Sequence, residues 1–209
     1  MSLIHLFVAR HGETEFNRKG LLQGRGIDAP LNGLGRTQAK YLAEYLTNYH
    51  STSIISSSLT RAWQTASAYE KKTDLTVQKN RDLDEMDFGD FEGVYMEEIS
   101  DELNDLQNGW KNGDVSLKIP GGESPEEVFQ RADTAARSYI NGADSQTIML
   151  FIHGRLIRIL LSEWLGIGLK NMHKVEHGNG AVNHLIFKNG SFEPVYLNKT
   201  DHLEMLTTD

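Results

Sequence analysis

Cysteine is absent from the chain, and with it go disulfides, thiol nucleophiles and cysteine metal sites. Its absence fits an intracellular protein, so residence in the cytoplasm is expected. No apolar run is long enough to span a bilayer, and no membrane partner is expected. The apolar start at Leu3 is broken by His5 and runs straight into Arg10-His11, which makes a poor leader. Basic residues are in deficit, with 21 Lys and Arg against 29 Asp and Glu and a net charge of −8. A general nucleic-acid binder needs a basic face, so nucleic acid is not an expected partner. Nor does such a balance steer anions in from a distance. Any anion has to be recognised by a few local cations and backbone amides.

What is present is the composition of a soluble globular protein, 39% hydrophobic and 24% charged, without repeats or low-complexity tracts. The length suits a single domain over 1–209, with an insert lobe at about 86–122. Ile4 to Ala9 reads as a buried strand that stops at Arg10-His11-Gly12, where the glycine is expected to let the backbone turn sharply. A Gly-rich loop runs over 15–30. Asn32 then caps an amphipathic helix to about His50. Ser53–Ser57 is a short strand ended by its serines, and a helix follows with Arg61 in its first turn. A strand over Leu75–Val77, a helix over Met96–Gln107 and a capping box at Ser124-Pro125-Glu126-Glu127 come next. Thr147–Ile152 is a second apolar strand ending in His153-Gly154, before a helix that is apolar nearly all round. Ala181–Phe187 and Phe192–Leu197 pair as a hairpin through Asn189-Gly190. This order predicts a three-layer α/β sandwich, with a mostly parallel sheet, helices on both faces and one antiparallel late strand.

Ligands in such sheets bind at the carboxyl ends of the strands. Two strands here end in His-Gly, and Arg10 and Arg61 join them. A cation in the first turn of a helix opposes the helix dipole unless an anion stands before it, although Arg61 could also simply face solvent. Arg10, His11, Arg61 and His153, with free amides after Gly154, would form a pocket for a dianion. Phosphoryl transfer places charge on three equatorial oxygens, and such donors meet it. His11 is then the natural nucleophile, held neutral by the arginines, with its other nitrogen pinned to a backbone carbonyl. Six carboxylates lie between 82 and 92. Glu85 is the chosen proton donor. Composition alone leaves any of the six open, and a solvated acidic loop or a divalent metal site would look the same.

Arg10-His11-Gly12-Glu13-Thr14 resembles the signature of the histidine phosphatase superfamily, which includes the cofactor-dependent phosphoglycerate mutases. Leu83-Asp84-Glu85 through Glu92-Gly93, Gln23-Gly24, Ser58-Leu59-Thr60-Arg61 and His153-Gly154 resemble further segments of that family, in the same order. The resemblance implies His11 as the phosphorylated residue and Glu85 as proton donor. It implies Arg10, Asn17 and Arg61 on the phosphate, Gln23 and Gly24 against the substrate, and His153 as the second pocket histidine. Asn32 stands where many members have Thr, and Arg155 follows His153-Gly154, adding charge at the rim. Family mutases tend to carry paired arginines after the catalytic Glu. Residues 94–130 contain none, only Lys111 and Lys118, which favours a phosphatase.

The expected ligand is thus a small phosphomonoester, with no cofactor and no metal. His173 and His177, four apart, lack the third ligand a metal site needs. A mutase, a sugar bisphosphatase, a cobalamin-pathway phosphatase and a non-catalytic phosphoester-binding module stay open, and the sequence leaves room for a homodimer. His5, His50, His184 and His202 read as structural or solvated. Phe16, Leu22, Met86, Phe88 and Phe91 read as core or as an apolar cleft wall.

Overall fold

Ile4–Arg10 (β1) sends Leu6 and Val8 to one face and Phe7 and Ala9 to the other, and all four are buried. A strand apolar on both faces belongs in the middle of a sheet covered on both sides. The computed structural model describes residues 3–140 and 145–206. Its other strands are Ser53–Ser57 (β2), Val77–Asn80 (β3), Gln146–Ile152 (β4), Val182–Lys188 (β5) and Ser191–Lys199 (β6). They form one sheet in the order β3-β2-β4-β1-β5-β6. β1, β2, β3 and β4 are mutually parallel, while β5 runs antiparallel to both β1 and β6. The β5–β6 turn at Asn189-Gly190 has positive φ at both residues, as a tight hairpin demands.

Gly33–Leu46 (α2) and Thr60–Glu70 (α3) cover the face bearing Phe7, Ile54 and Phe151. Pro125–Ile140 (α5) and Gly154–Trp164 (α6) cover the face bearing Leu6, Val8 and Leu150. The layers are therefore those of an α/β sandwich. Asn32 caps α2 through Gly35 N at 2.8 Å. Ser124 and Glu127 exchange capping hydrogen bonds at the start of α5. No helix among the described residues is long and apolar enough to cross a membrane.

Several boundaries differ from expectation. The loop over 15–30 contains a short helix, Glu15–Lys19 (α1), capped by Thr14 and Asn17. It buries no residue, so it leaves no apolar period to read. β3 begins at Val77, not Leu75, because Ile54 to Ser57 of β2 pair with Val77 to Asn80. The helix expected over Met96–Gln107 is Ser100–Lys111 (α4). Its phase is set by Trp110 and Leu106, which pack on the core, and by Ile99 and Leu103, which are buried, while Met96 stays exposed. α2 ends at Leu46, earlier than His50, and the chain continues through turns to Tyr49.

Gly12 is needed for space. It is not among the positive-φ residues, but a Cβ there would sit 2.3 Å from Gly35 O, where the end of β1 crosses the start of α2.

Candidate active site

The carboxyl ends of four parallel strands deliver the site. β1 ends at Arg10 and His11, β2 at Ser57 with Arg61 beyond it, β4 at His153, and β3 leads by one turn to Asp84 and Glu85. β2, β4 and β1 are neighbours, so the four groups converge. A pocket of about 290 Å³ opens there, lined in part by Arg10, Asn17, Gln23, Glu85 and Gly154. His11, Arg61 and His153 lie deeper, at 3%, 1% and 0% exposure. Solvent is thus excluded as the destination of Arg61.

The rings of His11 and His153 are 5.2 Å apart. His11 Nδ1 lies 2.7 Å from Gly12 O. A carbonyl only accepts, so Nδ1 carries the proton and Nε2 keeps its lone pair. Nε2 has no hydrogen bond among the described residues. Burial first, then the charges of Arg61 and Arg10, holds His11 well below the usual imidazole range. The imidazole is neutral, as the sequence implied, but desolvation contributes more than the arginines.

Arg61 donates to Ile27 O at 2.8 Å and to Gly24 O at 3.0 Å, and Arg10 donates to His177 O at 2.8 Å. Neither has an ion pair among the described residues, and Nε of each is buried without a partner. Burial lowers both to about 10, so both stay charged at neutral pH. Two guanidinium groups, Arg61 buried and Arg10 half-buried, with no ion pair among the described residues, are able to receive an anion. Gly24 does not line the pocket, and its carbonyl holds Arg61 instead. A Cβ on Gly154 would lie 3.0 Å from the Arg10 guanidinium, so that glycine makes room for the cation.

Glu85 corrects one expectation. Its Oε1 accepts from Leu156 N and Met86 N, both at 2.9 Å, and its Oε2 from Arg155 N at 3.0 Å. The amides of Arg155 and Leu156, just after Gly154, are therefore occupied by this carboxylate and are not free for a ligand. In return they fix Glu85 at the pocket wall.

Asn17 Oδ1 accepts from Thr14 and Asn179. Gln23 Oε1 accepts from Thr14 Oγ1 at 2.8 Å, and its buried Nε2 has no partner among the described residues. His153 Nε2 lies 2.7 Å from Ser57 Oγ, and Ser57 Oγ donates to Asp84 Oδ1 at 2.7 Å. Ser57 and Asp84 are a support that the sequence did not reveal, because the serine run reads only as the end of a strand. Arg158 and Asn179 also line the pocket and were not foreseen. His173 and His177 do not share a face: His173 is exposed, whereas His177 is buried and bonded to Asn183 at 2.7 Å.

The chain matches the family model described as the histidine phosphatase superfamily (branch 1) over residues 6–200. It is 30% identical over 205 residues to a phosphoserine phosphatase candidate of Hydrogenobacter thermophilus, covering 97% of this chain and 98% of that protein. Phosphoglycerate mutase-like protein 4 of Arabidopsis thaliana is 34% identical over 158 residues, covering 74% of this chain and 68% of that protein. Among solved structures, mycobacterial glucosyl-3-phosphoglycerate phosphatase superposes with a TM-score of 0.84 at 28% identity, covering 95% of this chain and 100% of that one.

Proposed function

Because the chain belongs to branch 1 of the histidine phosphatase superfamily, we propose that it hydrolyses small phosphomonoesters through a phosphohistidine formed on His11. The observation that carries this proposal is the 2.7 Å hydrogen bond between His11 Nδ1 and Gly12 O, which leaves Nε2 with its lone pair on a buried, neutral imidazole, beside two arginines without an ion pair among the described residues.

In the first step Nε2 attacks phosphorus, the bond to the ester oxygen breaks, and Glu85 protonates the leaving alkoxide. Glu85 is the sole carboxylate among the described residues lining the pocket. In the second step Glu85 takes a proton from water, which attacks phosphorus and releases phosphate and free His11. Arg10, Arg61 and the unpaired amide nitrogen of Gln23 meet the charge on the equatorial oxygens. His153 joins them through Nδ1, which is buried without a partner among the described residues. Asn17 steadies the loop that carries Gln23, through Thr14. Residues 86–122 act as an insert within one domain and form part of the pocket wall, since Phe88 and Met96 line it and Leu22 N bonds Val94 O.

The test is to mix enzyme with a labelled phosphomonoester, quench rapidly and digest. An acid-labile, base-stable phosphoryl group on the His11 peptide is expected, with none in His11→Ala. Turnover without that adduct would sink the mechanism. Conversion of 3- to 2-phosphoglycerate that depends on added bisphosphoglycerate, without phosphate release, would make the protein a mutase.

A further inference from the structure

α6 carries two arginines for which hydrolysis as proposed above has no use. Arg155 and Arg158 are three residues apart, so they lie on one face of the helix, about 4.5 Å apart along its axis. Both line the same pocket as Arg10 and Glu85. Like charges at this spacing repel. Arg155 lies over the Trp110 ring, 5.6 Å from its centroid, and neither guanidinium has a hydrogen bond or an ion pair among the described residues.

Among the described residues no acid pairs with either guanidinium, and the Glu85 charge offsets only part of the repulsion at Arg155. Both oxygens of Glu85 are held by backbone amides. On its far side Arg155 borders a smaller cleft shared with Lys111 and Lys170, which adds cations and no carboxylate. Burial, then the charge of Arg158, pushes Arg155 down to about 10, so it remains a cation at neutral pH. In a chain of net charge −8, this wall of the pocket stands out as positive.

We propose that Arg155 and Arg158 form a second anion subsite, so that the preferred substrates are small phosphomonoesters bearing another anionic group, a carboxylate or a phosphate, on the leaving alcohol. This rests on the phosphatase reading, in which Arg10 and Arg61 already serve the reacting phosphoryl group. The alcohol would lie in the same pocket of about 290 Å³, flanked by Leu22 and Phe88. A neutral alcohol would desolvate the two arginines without pairing them, and the site would discriminate against it.

The test measures kcat/KM by phosphate release for matched pairs: 3-phosphoglycerate against glycerol 3-phosphate, and fructose 1,6-bisphosphate against fructose 6-phosphate. Each pair differs in the second anion. The wild type is expected to prefer the doubly anionic member of at least one pair by about 10–100-fold, the range of a charge-assisted hydrogen bond. The pair that shows the preference tells carboxylate from phosphate. In Arg158→Gln, and in the double variant with Arg155→Gln, the preference should collapse to within about 3-fold, whatever the absolute rates. Using the ratio keeps the test valid even if the loss of Arg155 loosens Trp110. Release from all esters with no preference would overturn the subsite and leave the hydrolase intact. A preference that survives in both variants would also overturn it. Release from none would overturn the hydrolase reading itself.

Discussion

Ser57 Oγ accepts a hydrogen bond from His153 Nε2 at 2.7 Å and donates its own to Asp84 Oδ1 at the same distance. The direction follows from chemistry: a carboxylate without a proton only accepts, so the serine hydrogen points to Asp84 and Nε2–H must donate. Asp84 is held in place by Ser58 N and Ser58 Oγ, both at 2.8 Å. Without ligand, burial and then Arg61 keep His153 well below the usual imidazole range. On the proposed mechanism, a phosphoryl dianion arriving at Nδ1 would reverse that balance, and the relay would then support a histidine that donates from both nitrogens.

Ser57→Ala should therefore lower kcat about 10–100-fold, as loss of a hydrogen bond to a charged group does, with KM little changed. The pH profile of kcat should shift as well, because His153 loses the support for its charged form. A loss that is equal at every pH would mean that Ser57 matters only for packing.

Glu85→Gln should slow poor leaving groups far more than good ones, since only the former need the proton. The substitution also places an amide NH2 against one of the backbone N–H groups that Glu85 now accepts. The readout is accordingly the ratio of alkyl phosphate to p-nitrophenyl phosphate turnover. An equal loss for both would remove Glu85 as the acid.

Two glycines at the site should respond differently to alanine. At Gly12 the new Cβ would meet backbone, Gly35 O at 2.3 Å, so Gly12→Ala should destabilise by about 3 kcal/mol and lower Tm by roughly 5–10 °C. At Gly154 the Cβ would meet the tip of a flexible side chain, the Arg10 guanidinium at 3.0 Å. Gly154→Ala should melt within about 3 °C of wild type yet weaken inhibition by inorganic phosphate roughly tenfold. Thermal melts and phosphate inhibition constants separate the two, and equal Tm losses would contradict the difference.

Stability should fall on acidification below about pH 6.5. Burial depresses His177 to about 3 and His184 to about 4, and holds His11 and His153 well below the usual range. In the unfolded chain all four titrate near 6.5. Between the folded and unfolded values the unfolded chain binds protons that the folded one refuses, so their contribution is complete above about pH 6.5 and shrinks below it. Each group can cost up to ~1.4 kcal/mol per pH unit in that window. Melts at pH 7.5, 6 and 5 should show Tm falling throughout, and a maximum below pH 6 would contradict the assignment.

The sequence by itself determined the layered fold and the main chemical groups, for reasons local to the chain. Residues 4–9 are apolar at every position but His5, which demands burial on both faces. The alternation of strands with amphipathic helices demands a covered parallel sheet. Asn32 and Ser124 announce their helices because capping acts over three or four residues. His11, His153, Arg10 and Arg61 are legible because they follow strand ends, where the topology of a parallel sheet gathers ligand-binding groups. Tertiary structure decided whatever depends on partners distant in sequence. Ser57 serves His153 only because β2 and β4 are neighbours in the sheet. Glu85 takes the amides of α6, seventy residues on, and so removes them from the anion pocket. Gly12 is small because α2 crosses it, not because its own φ requires it. α1 buries no residue and so leaves no apolar period to read, and where α4 starts depends on how Leu103, Leu106 and Trp110 meet the rest of the fold. Whether Arg61 faced solvent or the site could not be read from its helix, because burial is a property of what packs around a residue.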